Sequence, residues 1–202
     1  MGGFLDAYLP VYDLALTEHL AVAADTAVAF RCARDLDFMT VRTPLLTASF
    51  FARGLPARLR GRAPEPPTQV RLAADAAVLP GWLLLGVDEG REVAFGAVGR
   101  FWQPEIAWRD VPREQFRSFD EPGWGKIACH FLTRPDGPGR SMVSYECRTA
   151  TTDPQARRSM ARYWWLVRPF VAHIMRATLS TIAADASAGR SSGGPAASTA
   201  HR

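Results

Sequence analysis

The chain has 202 residues, enough for one domain with a substantial core, and a formal net charge of +4. Hydrophobic residues make up 48% and charged residues 22%, which excludes a wholly disordered chain, a coiled coil and a collagen-like repeat. No window reaches the ~18 uninterrupted apolar residues of a membrane helix, so no integral membrane segment is predicted. The N-terminus has an acid at Asp6 and no basic region, which is unlike a signal peptide, so we expect a cytoplasmic protein.

Arginine supplies almost all of the positive charge, since Lys126 is the only lysine. Arginines cluster in 53–62 and again after Thr151, and such clusters can contact nucleic acid. No nucleic-acid motif accompanies them, so we expect solvated surfaces and no nucleic-acid partner.

The three cysteines are odd in number and have no CxxC or zinc spacing, which favours free, buried thiols in a reducing compartment. The four histidines are scattered along the chain. We therefore predict no metal site and no cofactor.

The first part of the chain predicts a strand and then two short helices. Apolar alternation favours a strand over 12–23, and Asp25 or Thr26 is suited to cap a helix over 26–36. A second helix is expected over 44–54, where proline occupies the first turn and glycine ends the pattern.

The middle of the chain predicts antiparallel strands. Residues 60–68 form a Pro- and Arg-rich loop, and 69–80 fit either a short helix or an edge strand. Strands are then expected at 82–87, 92–102 and 106–111, followed by a short helical stretch at 112–119. Residues 125–133 and 140–149 flank a PDGPG turn and predict a hairpin.

The last element is a long amphipathic helix. Asp153 provides a cap and Pro154 suits the first helical turn, and apolar residues then follow one broad face. The low-complexity end of the chain is predicted to be disordered, which divides the sequence into one domain at 1–185 and a tail at 186–202.

This order predicts an α+β fold in which the long C-terminal helix covers one face of a curved antiparallel sheet, with two short helices after the first strand. The most characteristic stretches are GREVAFGAVGRFW (90–102), FDEPGWGKIACHF (119–131) and YWWLVRPFVAHIMR (163–176). On these stretches and this order, residues 10–184 resemble a bacterial branch of the START-like superfamily, also called SRPBCC or the polyketide cyclase and pollen-allergen group. The resemblance implies a helix-grip fold with an internal cavity, without a shared catalytic motif.

The hairpin predicts its own register. If Cys129 faces Cys147 and Phe131 faces Tyr145, one side of the hairpin is largely apolar, whereas a slip of one residue would mix the faces. The two cysteines could form a disulfide, but two small buried hydrophobic side chains are the favoured interpretation.

The same register places His130 opposite Glu146 on the other face, with Arg148 diagonal to them. A histidine with a carboxylate can act as a general base, and Arg100 or Tyr145 could stabilise or protonate an oxyanion. The favoured alternative is a polar pair on a solvated sheet face, contributing less than ~1 kcal/mol, because the apolar face suits a cavity better.

Three functions remain open. The first is binding of an apolar or aromatic small molecule between the sheet and the C-terminal helix, with a wall formed by Trp82, Phe95, Phe101, Phe131, Tyr163, Trp164, Val167, Phe170, Val171 and Ile174. The second is an aromatase/cyclase-type enzyme acting on a polyketide- or isoprenoid-like substrate through the four polar residues above. The third is an interaction module that uses the arginines of 53–62 against an acidic partner or an anionic membrane surface. No oligomeric state is predicted.

Overall fold

The computed structural model describes residues 3–41 and 79–191. Within these ranges five strands form one antiparallel sheet in the order β1-β5-β4-β3-β2. Their bounds are β1 (Leu14–Val22), β2 (Trp82–Asp88), β3 (Glu92–Gly99), β4 (Gly125–Pro135) and β5 (Ser141–Thr151). This sheet and the long C-terminal helix confirm the predicted α+β helix-grip fold.

Four α-helices accompany the sheet in the same ranges: α1 (Phe4–Tyr8), α2 (Thr26–Arg34), α3 (Arg113–Phe116) and α4 (Pro154–Ser191). A 3-10 turn over Phe38–Thr40 follows α2. Asp25 occupies the N-cap position of α2 as predicted, but its side chain makes no capping hydrogen bond. The predicted helix at 44–54, the loop at 60–68 and most of 69–80 lie outside the described residues.

The predicted hairpin register is confirmed, since Cys129 pairs with Cys147 and His130 with Glu146. The adjoining strands β3 and β1 extend the register on either side, so the side chains of paired residues share a face across four strands. We call the face that packs on α4 the inner face and the opposite one the outer face.

One predicted strand is wrong. Residues 106–111 form no strand, and their sheet contact is a single bridge from Trp108 to Gly99. The backbone N–H of Arg109 bonds the carbonyl of Val98, and the Asp110 carboxylate accepts from Gly81 N, so the segment lies beside the end of β3.

Asp153 fixes the start of α4, because its Oδ1 accepts from the N–H groups of Gln155 and Ala156 at 2.7 and 2.9 Å. The helix continues to Ser191, past the domain end predicted at 185, and the small side chain of Ala186 is fully buried. The predicted tail beyond Ser191 lies outside the described residues.

The inner face carries the main core, which α2 and α4 cover. Along α4 the largest buried side chains of this core are Met175, Leu179 and Ile182. α4 packs on β1, β5 and α2, while α2 also packs on β4.

The outer face carries a second core beneath α1 and α3. Gly86 leaves room for the ring of Phe4, because a Cβ atom there would lie 2.4 Å from that ring. Gly96 does the same for Phe116, at 3.0 Å. The glycines of these strands therefore admit aromatic rings from the covering helices, and this face is not the solvated surface that the sequence suggested.

Candidate functional site

A row of aromatic rings crosses the inner face from β2 to β5. Ring centroids lie 5.9 Å apart between Trp82 and Phe95, 5.9 Å between Phe95 and Phe131, and 4.4 Å between Phe131 and Tyr145. The register brings these rings together because each occupies an inner-facing position of a neighbouring strand. Four of the residues predicted from the sequence, counting Tyr145, thus share one surface.

Part of this row belongs to the packed core. Phe95 and Phe131 are each 1% exposed, and Phe38 covers them with ring centroids 6.3 and 6.2 Å away. Phe101 is also buried, in a separate cluster at the end of the sheet that includes Met160. Trp82 stays half-buried.

The middle of α4 is less buried than either end of the helix. Met160 and Met175 are 2% and 1% exposed, yet no residue between them is buried. This stretch contains the six predicted ligand-binding residues of the helix. They are Tyr163, Trp164, Val167, Phe170, Val171 and Ile174, all of them half-buried. Val171 packs against the inner core, and Tyr163 and Trp164 pack against the cluster of Phe101.

Tyr145 brings a polar group to the inner face. Burial, followed by the charges of the two neighbouring cysteines when ionised, raises the pKa of its phenol well above the ordinary value. The phenol therefore remains protonated at physiological pH. Its hydroxyl makes no hydrogen bond with any residue in 3–41 or 79–191.

The paired cysteines lie beside Tyr145 as free thiols. A hydrogen bond with Cys147, and then burial, raises the pKa of Cys129 well above its ordinary value. The Cys129 thiol is therefore neutral, which fits the predicted role of the pair as small buried hydrophobic residues.

His130 lies on the outer face within a buried charged network. Its Nδ1 is 2.6 Å from Glu92 Oε1, and its Nε2 is 3.7 Å from Glu146 Oε2. Glu92 also accepts a 2.9 Å hydrogen bond from the backbone N–H of Phe4 in α1. His130 is 5% exposed and Glu92 1% exposed, so the solvated pair expected from the sequence is wrong.

The network extends from Glu146 toward α1. Arg148 Nε donates to Glu146 at 2.6 Å, and its Nη1 donates to Asp6 at 2.8 Å. The neighbouring His130, opposed by burial and assisted by Arg148, lowers the pKa of Glu146 to about 2. Burial lowers the pKa of His130, but its two carboxylate partners outweigh burial and leave that pKa above its ordinary value. Through the contacts of Glu92 with Phe4 and of Arg148 with Asp6, this network ties α1 to the sheet.

The structure does not bring the four candidate catalytic residues together. His130 and Glu146 point to the outer face, whereas Tyr145 points to the inner face. Arg100 follows the end of β3, away from all three, and its guanidinium stacks 4.6 Å above the ring of Trp124.

Sequence reasoning missed Glu92 as the main partner of His130. The feature that could have revealed Glu92 is its position as a lone acid at the start of the otherwise uncharged strand EVAFGAVG. The contact depends on the register between β3 and β4, which are not joined by a hairpin and so have no short turn to set their pairing.

A polar groove of about 480 Å³ lies beside the start of α4, at the end of the sheet. Its lining includes Arg100, Trp102, Gln103, Asp153, Gln155 and Ser159. Of these, the sequence singled out Arg100 for a chemical role and Asp153 for capping.

Within the described ranges no helix has the length and apolar character needed to cross a membrane. The same residues form no group of three or more His, Cys, Asp or Glu side chains suited to a metal ion.

No protein-family model and no curated protein matches the chain. Among solved structures, the Zhui aromatase/cyclase from Streptomyces sp. R1128 matches with a TM-score of 0.37 and 10% identity, over 91% of this chain and 99% of that one. A protein of Thermus thermophilus matches with a TM-score of 0.31 and 11% identity, over 87% of this chain and 99% of that one. CalU16 from Micromonospora echinospora matches with a TM-score of 0.29 and 10% identity, over 88% of this chain and 86% of that one. Because these values are low, the fold assignment rests on the sheet order and α4.

Proposed function

We propose that this protein binds an apolar or aromatic small molecule between the inner face of the sheet and the middle of α4. The observation that carries the proposal is the half-buried apolar stretch of α4 between Met160 and Met175. Both ends of the helix bury their apolar side chains, so the middle retains apolar surface that a guest would cover.

The composition of the surrounding surface supports a flat, largely apolar guest. Trp82 and Tyr145 stand at the two ends of the aromatic row, and stacking or edge contacts with such rings favour an aromatic ligand. The protonated phenol of Tyr145 would donate to a carbonyl or hydroxyl oxygen, which would fix the orientation of the guest.

The proposed binding is tested with N-phenyl-1-naphthylamine, a neutral fluorophore whose emission rises in apolar surroundings. The wild-type protein is expected to bind it saturably. Val171→Trp places a larger side chain on the inner side of the helix, and it should weaken binding by tenfold or more. Leu166→Trp introduces the same residue at a position that is 70% exposed and should leave the affinity within twofold.

Far-UV circular dichroism and thermal unfolding of both variants show whether the fold is kept. If Val171→Trp unfolds, Val167→Trp replaces it as the test. The proposal is wrong if the wild type shows no saturable binding, or if the variants at 166 and 171 weaken binding equally. If the wild type binds and the two variants differ as expected, native mass spectrometry of protein purified from its source organism would identify the natural guest.

A further inference from the structure

We propose that the groove beside the start of α4 is a second binding site, which takes a small planar carboxylate through Arg100. The site is separate from the space between sheet and helix, so it stands independently of the function proposed above. It combines a guanidinium with no ion-pair partner in residues 3–41 and 79–191, a rigid position for that group, a neighbouring acid that is already hydrogen-bonded and a lining suited to an organic acid.

Arg100 is the cation of the proposed site. Its Nε is buried and has no hydrogen-bond partner. In the part of the chain at 3–41 and 79–191, no carboxylate lies within ion-pair distance of it, and its guanidinium stacks on Trp124 instead. A guanidinium carries five N–H donors in a planar fork that matches a carboxylate.

The backbone around the groove holds this side chain in place. Arg100 N donates to the carbonyl of Ala107 at 2.9 Å, and its own carbonyl accepts from Gln103 N at 3.1 Å. Trp124, on which the guanidinium stacks, is itself held by Thr152 through backbone and hydroxyl hydrogen bonds of 3.0 and 3.1 Å. Stacking on Trp124 thus presents the edge of the guanidinium from a fixed platform, which lowers the entropy lost on binding.

Asp153 is the acid that shares the groove, and it decides which anion fits. Its two oxygens accept from the N–H groups of Gln155, Ala156 and Gly123, so the start of α4 is already capped. These hydrogen bonds spread its charge but do not remove it. A dianionic phosphate would be repelled more strongly than a monocarboxylate, so the carboxylate is favoured.

The rest of the lining suits the body of an organic acid. Trp102 is half-buried and offers an indole face, while Gln103 and Gln155 offer amides and Ser159 a hydroxyl at the rim. An aromatic ring attached to the carboxylate can therefore pack on Trp102 while its acid group engages Arg100.

The test uses isothermal titration calorimetry with 2-naphthoate, its neutral analogue 2-naphthamide, and inorganic phosphate. We expect 2-naphthoate to bind at least tenfold more tightly than either of the others. Arg100→Gln should weaken the binding of 2-naphthoate by tenfold or more, and Arg100→Lys should weaken it less, since it keeps the charge without the fork. Arg134→Gln removes the same charge from an exposed position at the far end of β4 and is the matched control.

A second variant, Ser159→Trp, fills the groove while leaving Arg100 in place, and it should also weaken the binding of 2-naphthoate. Circular dichroism verifies that each variant is folded. The inference is overturned if 2-naphthoate does not bind, if phosphate or the amide binds as tightly, or if Arg134→Gln has the same effect as Arg100→Gln. It is also overturned if Val171→Trp, rather than the groove variants, abolishes binding, because the acid would then occupy the space between sheet and helix.

Discussion

Replacing His130 with leucine tests whether the outer-face network is a buried charged cluster. Leucine keeps much of the volume of the imidazole but leaves Glu92, which is 1% exposed, without its 2.6 Å partner. Removing one member of a buried ion pair costs about 3–5 kcal/mol, because the remaining charge stays desolvated. For a chain of this size that loss corresponds to a fall in Tm of roughly 10 °C.

The pH dependence of the loss follows from the raised pKa of His130. A folded-state pKa above the unfolded value means that the stabilisation is fully present below pH ~6.5 and is lost as pH rises through the folded pKa. The stability gap between wild type and His130→Leu should therefore be larger at pH 6 than at pH 9. The neutral imidazole can still donate one hydrogen bond, so part of the gap remains at pH 9.

Urea unfolding followed by circular dichroism measures these differences. Glu92→Gln combined with His130→Leu should recover much of the loss, because glutamine is neutral and its carbonyl can still accept from Phe4 N. His19→Leu is the matched control, since His19 is exposed and hydrogen-bonded to Ser144 at 2.7 Å. It should cost no more than ~1 kcal/mol. A loss below ~1 kcal/mol for His130→Leu, or no recovery in the double variant, would refute the argument.

Two further predictions concern the inner face. Phe95→Ala should lower the free energy of unfolding in urea by about 3–5 kcal/mol, because the ring is fully buried between Trp82 and Phe131. The control Trp165→Ala, at an 82% exposed position, should change it by less than ~0.5 kcal/mol. Equal effects of the two variants would contradict the assigned faces. Of the three thiols, a disulfide reagent such as 5,5′-dithiobis(2-nitrobenzoate) should modify at most Cys32 in the native protein and all three in urea, because Cys129 and Cys147 are buried and free. Rapid native modification of two or three thiols would show that the hairpin opens.

Local patterns were enough to predict the parts of the fold that depend on neighbouring residues. The alternation of the β4–β5 hairpin fixed the pairing of Cys129 with Cys147, and Asp153 followed by proline located the start of α4. The prediction of a strand at 106–111 was wrong because alternation there reflects side chains packing at the end of the sheet, where Trp108 contacts Phe101 with a centroid distance of 6.0 Å.

The environment of the candidate site depended on contacts between distant segments, which one sequence does not encode as a pattern. The burial of His130 requires α1, and nothing in the short apolar lead-in placed it over the outer face. The groove at Arg100 likewise requires the end of β3, the loop before β4 and the first turns of α4 to meet.

Strand geometry also limits which residues could serve the cyclase hypothesis. Tyr145 and Glu146 are adjacent, so their side chains leave opposite faces of β5, and the sheet separates His130 from any guest beside α4. For His130 to reach that guest, β4 would have to slip by one residue, which would turn Phe131 to the outer face and place the imidazole in the main core. A cyclase acting in the space between sheet and helix would therefore need groups other than the His130 and Glu146 pair, with Tyr145 as its proton donor. If His130→Leu lowers stability but leaves the affinity for N-phenyl-1-naphthylamine unchanged, the network supports the fold and takes no part in binding. A loss of affinity in a folded His130→Leu variant would contradict this separation of the two faces.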